Sequence, residues 1–183
     1  MAPRDSREFH IQTDQRFEII VERILIPRKL LSTGDRAPDF SLISNSGKPV
    51  SLVDFLGKKM IVLFFYPRDG TPGCKAEVLS FREKYDVFTD LDAEVIGISS
   101  DTIDSHSKFA SECDLSFPLL SDNGGTVRKE YGVGKTLWIV EGRVTYVIDK
   151  KGKIRHVFSS QLRPKNHAVE AIKSLIEIVG ASR

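Results

Sequence analysis

Seven consecutive uncharged residues, Met60 to Tyr66, run into a Pro/Gly-rich turn, Pro67-Arg68-Asp69-Gly70-Thr71-Pro72-Gly73, and give way at Cys74 to a helical pattern. A run of this length with no charge suits a strand buried on both faces, because a strand with one wet face alternates polar and apolar residues. Beyond the turn, Val78, Phe81, Tyr85 and Phe88 recur at spacings of three, four and three, which is one face of a helix. The rest of the chain continues the alternation. Ala93 to Ser99 reads as a second buried strand, residues 103–113 as a second helix, and a short helix reaches about Tyr131 after Ser121-Asp122-Asn123-Gly124-Gly125. Val144 to Ile148 and Ile154 to Phe158 flank Asp149-Lys150-Lys151-Gly152, the pattern of a hairpin whose glycine supplies positive φ. The last element starts near Pro164, with Val169, Ile172, Ile176 and Val179 on one face and Gly180 as its stop. Upstream, Phe40 to Ile43 and Val50 to Leu52 are short strand candidates around the turn Ser46-Gly47-Lys48. This order of elements is an α/β layer sandwich.

At 183 residues the chain is long enough for one domain with a core and short for two. Lys+Arg 27 against Asp+Glu 25 is too balanced to imply a nucleic-acid partner. No apolar run is long enough for a membrane helix, and no compact apolar stretch near the start reads as a secretory signal. Two cysteines, Cys74 and Cys113, make neither a disulfide scaffold nor a zinc site, and no C-x-x-C pair exists. A reducing compartment follows. His106 and His167 sit in expected helices, and His10 and His156 lack carboxylate or cysteine partners at ligand spacing, so no metal is expected. Residues 1–30 read as an N-terminal extension to a domain spanning 31–183. Within it, Phe17, Ile20, Val21 and Ile24 fit an amphipathic helix, while the β-branched content equally allows a strand. The segment reads as packed on the domain, or as a docking arm or targeting remnant. Its acids Asp5, Glu8, Asp14, Glu18 and Glu22 are more than a transit peptide usually carries, which points to the cytoplasm, with a plastid or other organelle as the alternative.

Cys74 carries the chemistry. A lone cysteine is either a small buried apolar side chain or a nucleophile, and a thiol reacts as its thiolate. Three features favour the nucleophile. Gly70 and Gly73 keep bulk away from the turn so that backbone N–H groups can face a ligand. The Thr71 hydroxyl lies within reach across one helical turn. The cysteine also sits in a first turn, whose N–H groups lack intrahelical partners and whose dipole favours an anion.

Taken together these residues resemble the peroxiredoxins, specifically the peroxiredoxin Q or bacterioferritin-comigratory-protein branch. Pro67, Thr71 and Cys74 match the family spacing of proline, three residues, threonine, two residues, cysteine. Gly34-Asp35-Arg36-Ala37-Pro38-Asp39-Phe40 is similar to the family's opening strand, and Phe117-Pro118-Leu119-Leu120-Ser121-Asp122 to the run after its second helix. Gly142-Arg143-Val144-Thr145-Tyr146-Val147-Ile148-Asp149 resembles the later strand that carries the family's arginine. The resemblance covers roughly residues 31 to 180. It implies a thioredoxin-like α/β fold with a central mixed sheet flanked by helices. It implies a thiol-dependent peroxidase that reduces hydrogen peroxide and organic hydroperoxides through a sulfenic acid, with no cofactor. The partners implied are a peroxide and a thioredoxin, glutaredoxin or small-thiol reductant, with the enzyme a monomer or weak dimer.

Magnitudes show what the protein must add to the thiol. An unperturbed thiol with pKa about 8.5 is only about 3% ionised at pH 7, so complete ionisation gains at most about 30-fold, or about 2 kcal/mol. Lowering the pKa also weakens the nucleophile. Orientation of the peroxide and stabilisation of the departing oxygen must supply the rest. By the resemblance, Arg143 brings a permanent cation, Thr71 orients the peroxide and Pro67 shields the site. Without it, Arg143 reads equally as a solvated strand-edge charge, Thr71 as a helix cap and the aromatic Trp138 as packing or pocket lining. Many members of the branch carry a resolving cysteine five residues after the first, where this chain has Leu79. Others carry it on the following helix, where Cys113 lies about one turn beyond the usual position, held here by Ala110. Cys113 is therefore a resolving candidate or a buried thiol, and pairing with Cys74 would require local unfolding. Two rival readings are a dithiol oxidoreductase on the same fold, disfavoured by Lys75-Ala76-Glu77 after Cys74, and a non-catalytic redox-sensing or binding protein.

Overall fold

A computed structural model describes residues 29–136 and 140–181. The extension candidate at residues 17–26 and Trp138 therefore lie outside the described residues.

The core is a seven-stranded mixed sheet of order β2-β1-β5-β4-β3-β8-β9, built from β1 (Ser41–Ser44), β2 (Pro49–Ser51), β3 (Met60–Phe65), β4 (Ala93–Ser99), β5 (Leu119–Ser121), β8 (Val144–Ile148) and β9 (Ile154–Ser159). β3, β4 and β5 are parallel, whereas β8 and β9 form an antiparallel hairpin on one flank and β1 and β2 another on the far flank. A two-stranded ribbon, β6 (Lys135–Thr136) with β7 (Val140–Glu141), stands apart. The helices are α1 (Pro72–Arg82), α2 (Tyr85–Asp90), α3 (Ile103–Glu112), α4 (Thr126–Glu130) and α5 (Asn166–Gly180).

β3 explains why the fold needs seven uncharged residues in a row. Its alternate side chains feed two separate cores: Met60, Val62, Phe64 and Tyr66 pack beneath α1, α2, α3 and α5, while Ile61, Leu63 and Phe65 pack with Tyr131, Tyr146 and Phe40 on the other face. A strand central to a sheet covered on both sides has no wet face for a charge. On β8 the same alternation puts Val144, Tyr146 and Ile148 with the second core and Val147 with the first. Thr145, and Arg143 just before the strand, share the parity of Val147 and so face α1 and α5. Gly97 in β4 is required by packing, since a Cβ there would stand 2.7 Å from both Phe64 Cζ and Leu119 Cδ2.

Three local expectations change. The helix after Cys74 is two helices, because Lys84 leaves the α region (φ −115°, ψ 12°); the break folds Phe88 back onto Phe81, with ring centroids 5.7 Å apart. In α5 the fully buried face is Ala168, Ala171 and Leu175; of the expected stripe Ile172 and Val179 pack against this core, whereas Val169 and Ile176 are 39% and 55% exposed. The alanines let the helix approach the sheet closely and leave the bulkier β-branched residues at its margins. Gly180 is the last helical residue, not a left-handed stop, and Ala181 caps the helix in the right-handed region. The hairpin glycine, Gly152, has φ +78° as expected.

Candidate active site

The turn between β3 and α1 is built from both ends. Tyr66 N–H donates to Ile98 C=O at 3.1 Å, extending the strand by one residue, and Gly70 reverses the chain with φ +70°. Between them the Asp69 carboxylate accepts from Tyr66 Oη at 2.7 Å and Ser105 Oγ at 2.8 Å, and His106 Nδ1 lies 2.8 Å away. Asp69 N–H donates to Asp101 Oδ2 at 2.9 Å. Burial alone would raise the Asp69 carboxyl, but its hydrogen bonds with His106 and Tyr66 outweigh that and hold it below the usual range. The turn is thus fastened to β4 and α3 before the helix begins.

Pro67 is half-buried at the start of this turn. Thr71 occupies the cap position of α1 without a side-chain capping bond; its hydroxyl donates instead to Arg68 C=O at 3.2 Å, leaving its lone pairs free to accept. Pro72 starts the helix without an N–H to waste. The first ladder bond is Lys75 N–H to Thr71 C=O at 2.8 Å, so the N–H groups of Gly73 and Cys74 precede the ladder.

Cys74 is 1% exposed, and its sulfur accepts from Arg143 Nη2 at 3.3 Å. Arg143 is itself 4% exposed, so it is no solvated edge charge. Gly73 lies against the guanidinium: a Cβ there would stand in contact with Arg143 Nη2, at 3.4 Å. The other arm of the guanidinium, Nη1, donates to Glu77 Oε2.

Glu77 and His167 were not anticipated. Glu77 is fully buried on α1, and its Oε1 has no hydrogen-bond partner among the described residues but lies 3.5 Å from His167 Nδ1. Burial pushes its carboxyl up to about 8, with Arg143 opposing. His167 Nε2 faces Ser160 C=O at 2.9 Å and therefore carries the ring proton, while Nδ1 accepts from Thr145 Oγ1 at 2.8 Å. Burial, with the nearby Arg143 cation adding to it, lowers the imidazole to about 4. A signal for Glu77 was present: Cys74, Glu77, Val78 and Phe81 follow i, i+3, i+4, i+7, so a carboxylate lies on the inward stripe of an amphipathic helix.

Cys113 caps α3 and is also 1% exposed, in the same layer of core as Cys74. Burial pushes its thiol up, and its carbonyl accepts from Arg82 Nη1 of α1 at 3.1 Å. Both thiols are free. Leu79 is half-buried against the same core layer as Cys74 and also lines an open groove of about 370 Å³ with Pro72, Lys75 and Ala76. Among the described residues no group of three His, Cys, Asp or Glu side chains is placed to hold a metal ion, and no helix is long and apolar enough to cross a membrane.

This geometry accompanies close likenesses to known proteins. The AhpC/TSA family matches residues 33–157. The chain is 44% identical over 146 residues to "Peroxiredoxin Q, chloroplastic" of Sedum lineare, covering 79% of this chain and 78% of that one. It is 46% identical over 146 residues to the protein of the same name from Arabidopsis thaliana, covering 79% and 67%. Among solved structures, peroxidoxin BcpB from Mycobacterium tuberculosis superposes with a TM-score of 0.75 at 38% identity, covering 81% of this chain and 98% of that one. A cysteine-to-serine mutant of PrxQ from Xylella fastidiosa does so with a TM-score of 0.76 at 26% identity, covering 83% and 99%.

Proposed function

Because this chain belongs to the AhpC/TSA family, in its peroxiredoxin Q branch, and is a thiol-dependent peroxidase, we propose that Cys74 is its peroxidatic nucleophile, with Arg143, Thr71 and Pro67 completing the site. The observation that carries this reading is the contact of Arg143 Nη2 with Cys74 Sγ at 3.3 Å between residues far apart in sequence.

The thiolate attacks one peroxide oxygen; the O–O bond breaks, the sulfur loses two electrons, and the departing oxygen takes a proton and leaves as water or an alcohol. Arg143 favours the thiolate and polarises the peroxide, because its planar guanidinium can face sulfur and oxygen together. Thr71, whose lone pairs stay free, accepts the peroxide O–H and orients the attack. Pro67 begins the turn without a donor of its own and keeps bulk water off the sulfur.

The Glu77 carboxyl decides how much of the Arg143 charge reaches Cys74. Raised to about 8, it keeps its proton at neutral pH, leaving one buried cation beside one ionisable sulfur. With Glu77 protonated, the Cys74 sulfur and a peroxide beside it are the groups left facing the Arg143 cation. At the i+3 position, where a dithiol oxidoreductase carries its second cysteine, stands this glutamate.

The oxidised sulfur is then reduced by a thiol: Cys113 first, or directly thioredoxin, glutaredoxin or a small-molecule thiol. Burial of both cysteines, and the Arg82 bond to Cys113 C=O, mean that pairing requires the ends of α1 and α3 to unwind. The family match begins at residue 33, which supports the division into an extension at 1–30 and a catalytic domain at 31–183. The word "chloroplastic" in the names of the plant relatives favours the organellar alternative over the cytoplasm.

The test is peroxide consumption with a supplied thiol reductant. Cys74→Ser is expected to abolish it, and full activity in that variant overturns the assignment. The mass of the peroxide-treated protein identifies the second step: loss of two hydrogens marks a Cys74–Cys113 bond, and a gained oxygen or thiol adduct marks an external reductant.

A further inference from the structure

Arg128 is a buried cation that the chemistry above does not use. Asp122 fixes its place on α4: Val127 N–H donates to Asp122 Oδ1 at 3.3 Å and Arg128 N–H to Asp122 Oδ2 at 2.8 Å. The guanidinium then makes two short bonds to main chain. Nη2 donates to Tyr66 C=O at 2.7 Å, and Nη1 donates to Gly142 C=O at 2.8 Å. Nε lies 3.4 Å from Glu141 Oε2, and the guanidinium carbon lies 5.5 Å from the Phe65 ring centroid.

Those two carbonyls have a particular place. Tyr66 C=O belongs to the peptide unit leading into Pro67, and Gly142 C=O to the unit leading into Arg143. The β3–β8 ladder runs from Ile61 opposite Ile148 to Phe65 opposite Val144, so Tyr66 and Arg143 would form the next rung. The ladder ends there, and one side chain takes over by binding both strands. Only a planar fork donates two parallel bonds to carbonyls on separate strands; an ammonium is a point donor.

We propose that Arg128 is a positioning residue for the peroxidase reaction, clamping the strand ends beyond the last β3–β8 rung and so setting Arg143 against the Cys74 sulfur. This rests on the roles given above to Cys74 and Arg143. Loss of the clamp leaves Arg143 present but free to drift from the sulfur, and a displacement of about 1 Å at a reacting group can cost about 100-fold.

The experiment uses the reduced full-length protein. It measures the single-turnover rate constant with hydrogen peroxide and, by residue-resolved mass spectrometry, the pH midpoint of Cys74 alkylation by iodoacetamide. Arg128→Met is expected to lower the rate constant at least about tenfold and to move the alkylation midpoint in the same direction as Arg143→Leu. Arg128→Lys, which can restore one bond, is expected to fall between Met and wild type. Tyr131→Phe is the control for a purely structural role, because it removes the 2.8 Å bond from Tyr131 Oη to Pro38 C=O just beyond the same helix, keeps the ring that packs on Phe65, and leaves both carbonyls that Arg128 binds untouched. A wild-type rate in Arg128→Met overturns the clamp, as does an equal loss in Tyr131→Phe. Where Arg128→Met does not fold, Arg128→Lys decides: an intermediate rate supports the clamp and a wild-type rate overturns it. Arg143→Leu separates the two levels. A wild-type rate there removes the role of Arg143 and the clamp with it, whereas loss there beside a wild-type rate in Arg128→Met removes the clamp alone.

Discussion

Replacing Glu77 by glutamine tests whether its carboxyl holds a proton at neutral pH. The folded value of about 8 against an ordinary 4.5 means that, between those limits, the folded state binds the proton and the unfolded state does not. Stability therefore falls as pH rises through this window. Between pH 6.5 and 8 the loss worked from those two values is about 1.6 kcal/mol. His167 runs the other way. Its value of about 4 lies below the ordinary 6.5, so stability is lost as pH falls from 6.5 toward 4, and above 6.5 it adds only about 0.4 kcal/mol. Wild type is thus expected to lose about 1.2 kcal/mol from pH 6.5 to 8, where Glu77→Gln, lacking that titrating group but keeping His167, gains about 0.4 kcal/mol. Glutamine preserves the shape and can still accept from Arg143, so the offset at any one pH is less telling than the change with pH. Urea titrations of the reduced proteins at pH 6.5, 7.25 and 8 measure it. A difference between the two proteins that stays constant across these pH values refutes the reasoning. Glu77 would then be ionised throughout and Arg143 already neutralised, leaving Cys74 to compete with a carboxylate for one cation.

Two further expectations rest on the turn and strand ends around the sulfur. A Cβ on Gly142 would stand 2.5 Å from Gly134 C=O, which is backbone and cannot swing aside, so Gly142→Ala is expected to cost about 1–3 kcal/mol in urea and to lower turnover by displacing Arg143; wild-type stability and turnover would contradict this. Asp69→Asn removes the charged acceptor that Tyr66, Ser105 and His106 share and is expected to cost about 1–3 kcal/mol at pH 7. Because the Asp69 carboxyl is held below its ordinary value of 3.8, its contribution is complete above that value and is lost as pH falls below it. Thermal unfolding should therefore show the gap between wild type and Asp69→Asn closing toward pH 3, and a gap that widens there would count against the network.

What the sequence determined by itself was everything that neighbours along the chain decide. Met60–Tyr66 reads as a strand buried on both faces because its two alternating sets of side chains are both apolar, and each proves to feed its own core. The turn, the helix start at Cys74 and the hairpin at Gly152 follow from φ preferences and missing N–H groups, which are properties of single residues and their nearest neighbours. The same local patterns misled where two faces of a helix were both plausible. In α5 the β-branched stripe only half faces inward: Ile172 and Val179 pack against the core, while Val169 and Ile176 are exposed and Ala168, Ala171 and Leu175 take the fully buried face.

Only the tertiary structure decided which charges lose their water. Arg128 and His167 look like ordinary polar residues along the chain, yet both are buried, as are Glu77 and Arg143. Their roles depend on which strand end, carbonyl or sulfur lies opposite, and that is set by the register of β3 against β8 and by how α1 and α5 close over it. Desolvation is a property of the packed environment, and apart from the apolar stripe on which Glu77 stands it leaves no local periodicity to read. The sequence could place a thiol at a helix start and, by resemblance, name its arginine; the fold put that cation 3.3 Å from the sulfur.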